Sequence, residues 1–226
     1  MPTKGKEIPA KTSRQQLLLA VTGLPLSLTA ATGPAHVTGV SNYWLDVFLP
    51  HTINESTSAS SSAGVPPAAR ILLLDSGGGS LTEQIDNSQI AWVQSTNIET
   101  IPVVAFQHIP AVEFAFSAAN CQSAALAEDG GVDPLDADAG IVQALGAAGN
   151  VHVLGVGHNH GNDYCCRHPL SMLHLCFGRH SGYGGYGSWE RGARVYQLRL
   201  NARGDWMGWK SWVRLESGDV VDDYEP

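Results

Sequence analysis

Two histidines one residue apart directly follow a short apolar run, and they are the side chains of this chain best suited to chemistry. The run is Val151–Val156, and Gly157, His158, Asn159 and His160 come after it. Neutral imidazole is the commonest side-chain metal ligand near physiological pH. A glycine before the first histidine lets the backbone approach an ion without a Cβ in the way. The stretch therefore predicts half of a metal site at the end of a buried strand.

A third histidine, His108, ends another apolar run, at residues 101–107. When two strand ends both finish in histidine, their imidazoles can converge on one ion. The three histidines therefore favour a metal-dependent hydrolase, in which the ion activates a bound water. A narrower alternative is a mononuclear zinc hydrolase, which would use His108, His158 and His160 and leave the fourth position open to water.

Composition and charge exclude some classes of protein. The chain has 226 residues, 43% hydrophobic and 15% charged, which suits a globular domain with a core. Its formal net charge of −8 argues against a nucleic-acid partner, because proteins that bind nucleic acid carry basic surfaces. No run reaches the roughly 18 consecutive apolar residues that a membrane-spanning helix needs. We therefore expect neither a nucleic-acid nor a membrane partner.

Four cysteines do not form the C-x-x-C pattern of a zinc site: Cys121, Cys165, Cys166 and Cys176. Adjacent cysteines rarely pair with each other, so free buried thiols are one interpretation. A bridge from Cys165 or Cys166 to Cys176 is the other interpretation, and it would require an oxidising compartment. The sequence leaves both open.

Interleaved strand and helix patterns predict an α/β fold. Strands at residues 41–49 and 70–75 flank a Ser-rich loop at 52–69, which predicts a hairpin with an expanded tip. Further strands are predicted at residues 101–108, 151–156, 171–177 and 193–200, and helices at residues 13–21, 87–93 and 141–145. We expect residues 1–12 to be a loose arm and residues 216–226 a frayed acidic tail. Because helices lie between strands, mixed sheets in layers are favoured.

Several segments together resemble the calcineurin-like metallophosphoesterases, and in particular their purple-acid-phosphatase-like branch. The closing motif of that family is similar to residues 157–165, GHNHGNDYC. The other similar segments follow the family's order and cover most of the chain from residue 13 to residue 200. They are residues 39–43 (GVSNY), 74–77 (LDSG), 89–92 (QIAW), 106–110 (FQHIP) with 113–114 (EF), 175–178 (LCFG) with 183–187 (YGGYG), and 191–195 (RGARV). The resemblance implies a layered β-sandwich with flanking helices, of which residues 13–215 would form the C-terminal part.

The resemblance also implies cofactors and a reaction. The family holds two divalent ions at its strand ends, and iron, manganese and zinc are not distinguishable here. Carried over by motif, His108 and His158 would bind one ion and His160 the other. A metal-activated water would then attack a phosphate monoester, carried by a small molecule or a phosphoprotein.

Three further side chains near the motif are candidates for the site, although none is expected to be catalytic. Asn162 and Asp163 could orient the metal-bound imidazoles, because such rings usually donate their second N–H to a neighbouring acceptor. His180, in the Gly- and Tyr-rich loop, could line the mouth through which substrate enters.

The upstream motifs of the family, Asp-x-His, Gly-Asp-x-x-Asp and Gly-Asn-His, do not occur before His108. The chain therefore resembles a C-terminal half that lacks the N-terminal half, and we expect the missing half to be supplied in cis. The phosphatase is then expected to be incomplete in this chain, and a catalytically inactive half-domain with a structural or interaction role is the alternative. We expect a cytoplasmic location, although a signal peptide on an upstream half would not be visible in this chain.

Overall fold

The computed structural model describes residues 12–49, 66–96, 100–116, 121, 129 and 131–226. The helices are α1 (Arg14–Thr22), α2 (Asn87–Ser95) and α3 (Ile141–Ala147), with a 3₁₀ helix at Val112–Phe116. The strands are β1 (Tyr43–Val47), β2 (Ala69–Leu73), β3 (Gln84–Ile85), β4 (Val103–Phe106), β5 (Ala137–Asp138), β6 (Val151–Val156), β7 (Cys165–Arg167), β8 (His174–Phe177), β9 (Gly192–Leu200), β10 (Trp206–Leu215) and β11 (Val220–Tyr224). Most of the predicted arm, at residues 1–11, and most of the Ser-rich loop, at residues 50–65, lie outside the described residues.

A six-stranded sheet in the order β1-β2-β4-β6-β8-β7 forms the centre of the fold. Its four middle strands are parallel, and β1 and β7 pair antiparallel at the two edges. The hairpin predicted for the first two strands is confirmed by the pairing of β1 with β2. Apart from the half-buried His152, β6 consists of buried apolar residues and glycine, because it lies inside a parallel sheet whose faces are both covered.

Different elements cover the two faces of this sheet. On one face, Trp92 of α2 and Leu145 of α3 belong to the same buried cluster as Leu154 of β6. On the other face, Trp209 of β10 shares a second cluster with Val153. β9, β10 and β11 form the antiparallel sheet that carries this tryptophan. The predicted α/β class is confirmed in the form of several sheets with few helices.

Polar side chains fix where the first two helices begin. Ser13 accepts a hydrogen bond from the Gln16 backbone, and the Gln16 side chain accepts one in return from the Ser13 backbone. Asp86 caps α2 in the same reciprocal way with Gln89. Each pair satisfies backbone N–H groups that have no partner inside the helix. The start predicted for α1 at Ser13 is therefore confirmed.

α1 lies on the surface of the protein. Leu18 is its buried residue, whereas five leucines in and after the helix are exposed: Leu17, Leu19, Leu24, Leu26 and Leu28. Within the described ranges, no helix is long and apolar enough to cross a membrane.

The expectation that residues 216–226 fray is wrong. β11 lies within this segment and pairs antiparallel with β10, and its Tyr224 contacts Trp209. The acidic residues of the segment give no apolar pattern that would predict a strand. The strand forms because tertiary contacts to β10 stabilise it. Four other strands were also missed: β3 and β5 have two residues each, β7 has three, and the register of β10 shifts near Gly208.

Two disulfides decide between the cysteine alternatives. Cys165 bridges to Cys176, which lies directly opposite it on β8, with the two Cα atoms 4.1 Å apart. Cys121 bridges to Cys166 with a Cα–Cα distance of 5.0 Å. The interpretation as free thiols is wrong, and the bridge from Cys165 to Cys176 is one of the two that the sequence left open.

The two disulfides predict different losses of stability. The Cys121–Cys166 bridge closes a loop of 45 residues and the Cys165–Cys176 bridge one of 11. Loop-closure entropy assigns about 4 kcal/mol to the first and about 3 kcal/mol to the second. We expect the Cys121→Ser/Cys166→Ser variant to lose more free energy of unfolding in urea than Cys165→Ser/Cys176→Ser. Equal losses, or a larger loss for the second pair, would contradict this ranking.

His174, on β8, is buried between the two sheets. Its Nδ1 lies 2.7 Å from the hydroxyl of Tyr224, and its ring contacts Trp209 at an edge. Burial, and then the nearby Arg167 and His152, lower the pKa of His174 to about 4. The imidazole is therefore neutral in the folded protein at pH values where the unfolded chain already binds a proton.

This lowered pKa predicts acid sensitivity of the fold. Between pH 6.5 and about 4 the unfolded state binds more protons at His174, so stability falls as the pH falls. From pH 7 to pH 4, we expect the free energy of unfolding to drop by about 2–3 kcal/mol more in the wild type than in His174→Asn. Urea titrations at both pH values measure this, with His168→Asn as the control. Identical drops in the wild type and in His174→Asn would contradict the prediction.

Candidate functional site

Parallel pairing of β4 with β6 brings two of the predicted histidines together. His108 and His158 each lie two residues beyond the carboxyl end of their strand, at the same edge of the sheet. The Gly157 backbone N–H donates to the carbonyl of His108 at 2.9 Å. The two imidazole rings meet edge to face, with centroids 5.4 Å apart and planes at 86°. The two strand ends therefore lie side by side, and the convergence of their histidines on one ion stays a prediction.

Backbone geometry explains why a glycine precedes His158. A Cβ at position 157 would lie 3.1 Å from Nδ1 of His108, so a larger residue would press on that ring. His158 itself has a φ of +68°, in the left-handed region that few non-glycine residues adopt. We call residues 157–163 the histidine turn. Its backbone strain is a feature often found at functional sites.

The electrostatic environment of His108 favours its neutral form. Burial makes the largest contribution, and the nearby His158, Arg14 and His160 add to it, so the pKa of His108 is lowered. Neutral imidazole is the form that can bind a metal ion. His108 thus has the protonation state of a ligand.

His160 is stacked between two other rings. Tyr186 lies on one side and His180 on the other, each with its ring centroid 4.1 Å from that of His160. The Nδ1–H of His160 donates to the carbonyl of Tyr186 at 2.8 Å. The backbone N–H of His160 donates to the hydroxyl of the same tyrosine at 3.1 Å. These contacts fix the ring within a column of three aromatic side chains.

His180 lies in this aromatic column. Its Nε2 is 2.9 Å from the carbonyl of Gly184, in the loop that follows. The proposed position of His180 at a substrate mouth stays a prediction.

Two aspartates, Asp129 and Asp133, contact the histidine turn or the aromatic column from the Gly- and Asp-rich stretch that precedes α3. The Tyr186 hydroxyl donates to Asp129 at 2.5 Å, and burial together with this bond raises the pKa of Tyr186 to about 12. Asp133 places a carboxylate oxygen 3.5 Å from Nε2 of His158. Its backbone N–H donates to the side chain of Asn159 at 3.2 Å. Sequence reasoning missed these residues, because a Gly- and Asp-rich stretch has no periodicity to indicate what it contacts.

Asn162 and Asp163 brace the turn. The Asn162 side chain donates to the carbonyl of Gly131 at 3.3 Å. The buried Asp163 carboxylate accepts a hydrogen bond from Arg179 at 2.6 Å. Their proposed role in orienting metal-bound imidazoles stays a prediction.

The LDSG segment, residues 74–77, forms a buried turn. Asp75 accepts hydrogen bonds from Arg14 at 2.6 Å, from the Val40 backbone at 2.7 Å and from the Gly77 backbone at 3.0 Å. Asp75 therefore ties α1 and the residues before β1 to the end of β2.

The side chains at the strand ends do not fit a pair of divalent ions. His108 and His158 contribute imidazoles and no carboxylate, and His160 is held in the aromatic column. Across the described part of the chain, His, Cys, Asp and Glu side chains form no group of three or more that could hold a metal ion. Two doubly charged ions about 4 Å apart repel by roughly 17 kcal/mol at an effective dielectric constant of about 20. Neutral ligands do not offset that repulsion.

Comparisons with known proteins show what this chain is similar to. No family model matches the chain. Three proteins of Arabidopsis thaliana are similar to it. "Probable inactive purple acid phosphatase 29" is 31% identical over 232 residues, which covers 90% of this chain and 57% of that protein. "Probable inactive purple acid phosphatase 28" is 33% identical over 58% of this chain and 36% of its own length, and "Probable inactive purple acid phosphatase 14" is 31% identical over 52% and 30%.

These similarities confirm the resemblance drawn from the motifs. They also limit it, because the chain spans 57% of the length of the first of these relatives and less of the other two.

Proposed function

We propose that this purple-acid-phosphatase-like chain does not hydrolyse phosphate monoesters by itself, and that it keeps the family's histidine motif in a structural or interacting domain. The observation that supports this most is the position of His160, stacked between Tyr186 and His180. Metal-dependent phosphate hydrolysis of this family type needs two ions about 4 Å apart, held in a fixed geometry. At the two strand ends the described side chains offer one pair of imidazoles, His108 with His158.

The names of the Arabidopsis relatives agree with this proposal, since all three proteins are called probable inactive. The carboxylate near the pair also agrees with it. Asp133 lies 3.5 Å from His158, at the distance of a loose ion pair. It compensates one charge at most.

The proposal predicts no turnover of 4-nitrophenyl phosphate by the isolated chain. The assay runs from pH 5 to pH 8 with added manganese, iron(II) or zinc, and metal retained after desalting is measured by mass spectrometry. We expect turnover no faster than the metal-only blank and less than one ion retained per chain, because the side chains described cannot hold two. His158→Ala is the matched control, since any activity that persists in it comes from a contaminant.

Two outcomes would contradict the proposal. Turnover that disappears in His158→Ala, with two ions retained, would identify a complete phosphatase centre. One zinc ion per chain, lost in His108→Ala but kept in His168→Ala, would favour the mononuclear zinc hydrolase.

A second candidate function is a phosphatase acting on phosphomonoesters of small molecules or phosphoproteins, with further ligands supplied in cis by residues beyond those described. The contact of His108 with His158 favours it, because two imidazoles already converge at the carboxyl ends of parallel strands. Ligands commonly bind at this edge of a parallel sheet. His108 and His158 would then bind one of the two divalent ions of the family and His160 the other.

This second candidate predicts a specific variant effect. In a longer form of the protein that hydrolyses phosphomonoesters, His158→Ala should lower kcat by about 10³-fold or more, because the metal-bound water loses its ion. His168→Ala should leave kcat within about twofold, since its ring bonds to Ser171 and lies in a separate turn. Circular dichroism checks that both variants fold. Unchanged turnover in His158→Ala would rule out the ligand assignment.

Two further sequence predictions concern the layered sandwich and the cellular location. The two clusters that cover opposite faces of the central sheet support the family's layered sandwich with flanking helices. The two disulfides weigh against the cytoplasmic location, because disulfides rarely persist in the cytosol.

A further inference from the structure

A buried arginine joins the second sheet to the histidine turn. Arg194 lies on β9, and its side chain is 0% exposed. Its Nε donates to the carbonyl of Phe177 at 2.8 Å, and its Nη1 donates to the hydroxyl of Ser211 at 2.8 Å. Its Nη2 donates both to the carbonyl of Asp163 and to the carboxylate of Asp222. A guanidinium group is planar and rigid, so these four acceptors hold one another in fixed positions.

The backbone of β11 is distorted where it presents Asp222 to this arginine. Opposite Asp222 the register of β10 with β11 shifts, between Ser211 and Val213, as in a β-bulge. Asp222 has a φ of +49°, in the left-handed region, and its side chain is only 2% exposed. A bulge re-aims a side chain that would otherwise follow the alternation of the strand. Strain of this kind persists only where the surrounding contacts hold it.

The Asp163 carbonyl, which accepts a hydrogen bond from Arg194, belongs to the histidine turn. Asp163 ends that turn, five residues after His158 and three after His160. Its carboxylate is held separately, by Arg179 at 2.6 Å. Backbone and side chain of the same residue are thus fixed by two different arginines, so the end of the turn cannot move without breaking a buried charged contact.

We propose that Arg194, held in place by Asp222, is a positioning residue for the histidine turn, so that β11 forms part of the site. The proposal depends on the proposed function only in treating this turn as the site, and it requires neither a bound metal nor hydrolysis. Removing the Asp222 charge leaves the guanidinium buried without a counter-ion. The guanidinium then shifts, the Asp163 carbonyl loses its donor, and the imidazoles of the turn change position.

Nuclear magnetic resonance of the metal-free full chain tests this. The imidazole signals of the nine histidines are assigned in the wild type and in Asp222→Asn. We expect the signals of His158 and His160 to move while that of His168 stays. We also expect the Asn162 amide, which donates to Asn159 within the turn, to exchange about tenfold faster with solvent.

Glu225→Gln is the matched control. Glu225, directly after β11, pairs at 2.6 Å with Arg199, which lies on β9 like Arg194. Both side chains are substantially exposed, Glu225 at 55% and Arg199 at 40%. This variant removes the same charge without touching the turn, and we expect no change at His158 or His160. Movement of these two signals to the same extent in both variants would overturn the proposal.

A purely stabilising role of Asp222 would also be visible. In that case Asp222→Asn lowers the melting temperature but leaves the His158 and His160 signals of the folded state unchanged, which overturns the proposal. If Asp222→Asn does not fold, Ser211→Ala replaces it, since it removes one uncharged acceptor of Arg194 and carries the same expectation. Failure of the proposed function would appear as turnover of 4-nitrophenyl phosphate by the isolated chain and would not affect these signals.

Discussion

The pairing of β4 with β6 is the contact on which the rest of the site depends. Their parallel register sets Phe106 against Gly155, and this alignment brings both carboxyl ends to one edge of the sheet. A Cβ at position 155 would lie 2.6 Å from the Phe106 ring, so glycine permits the close packing of the two strands. His108 and His158 meet because the strands that carry them are neighbours in this register.

Distant segments complete the surroundings of that edge. The Gly-rich stretch contributes Asp129 and Asp133, and the loop after β8 contributes Tyr186 and His180. Among the described residues, the result is an aromatic and polar environment around His160 and not a ring of carboxylates. The motif for which the resemblance implies metal ligands is thus embedded here in contacts of a different chemistry.

The second sheet is tied to the first through charge as well as through apolar packing. Trp209 packs in an apolar cluster between the sheets, whereas Arg194 spans the same gap with hydrogen bonds to both. Buried charges are costly unless they are paired, and Asp222 compensates the charge of Arg194. The distorted position of Asp222 on β11 therefore depends on Arg194, and the buried charge of Arg194 depends on Asp222.

From the sequence alone, the α/β class, the hairpin of β1 with β2, the start of α1 and the proximity of the strand ends that carry His108 and His158 could be predicted, because each depends on local patterns or on strand ends. Sequence reasoning did not predict β11, the Cys121–Cys166 bridge or the contacts of Asp129, Asp133 and Tyr186. These features join residues far apart in the chain, and their side chains have no periodicity that indicates a partner. Only the tertiary structure decided them, because a charged strand or a glycine-rich stretch is stabilised by what packs against it.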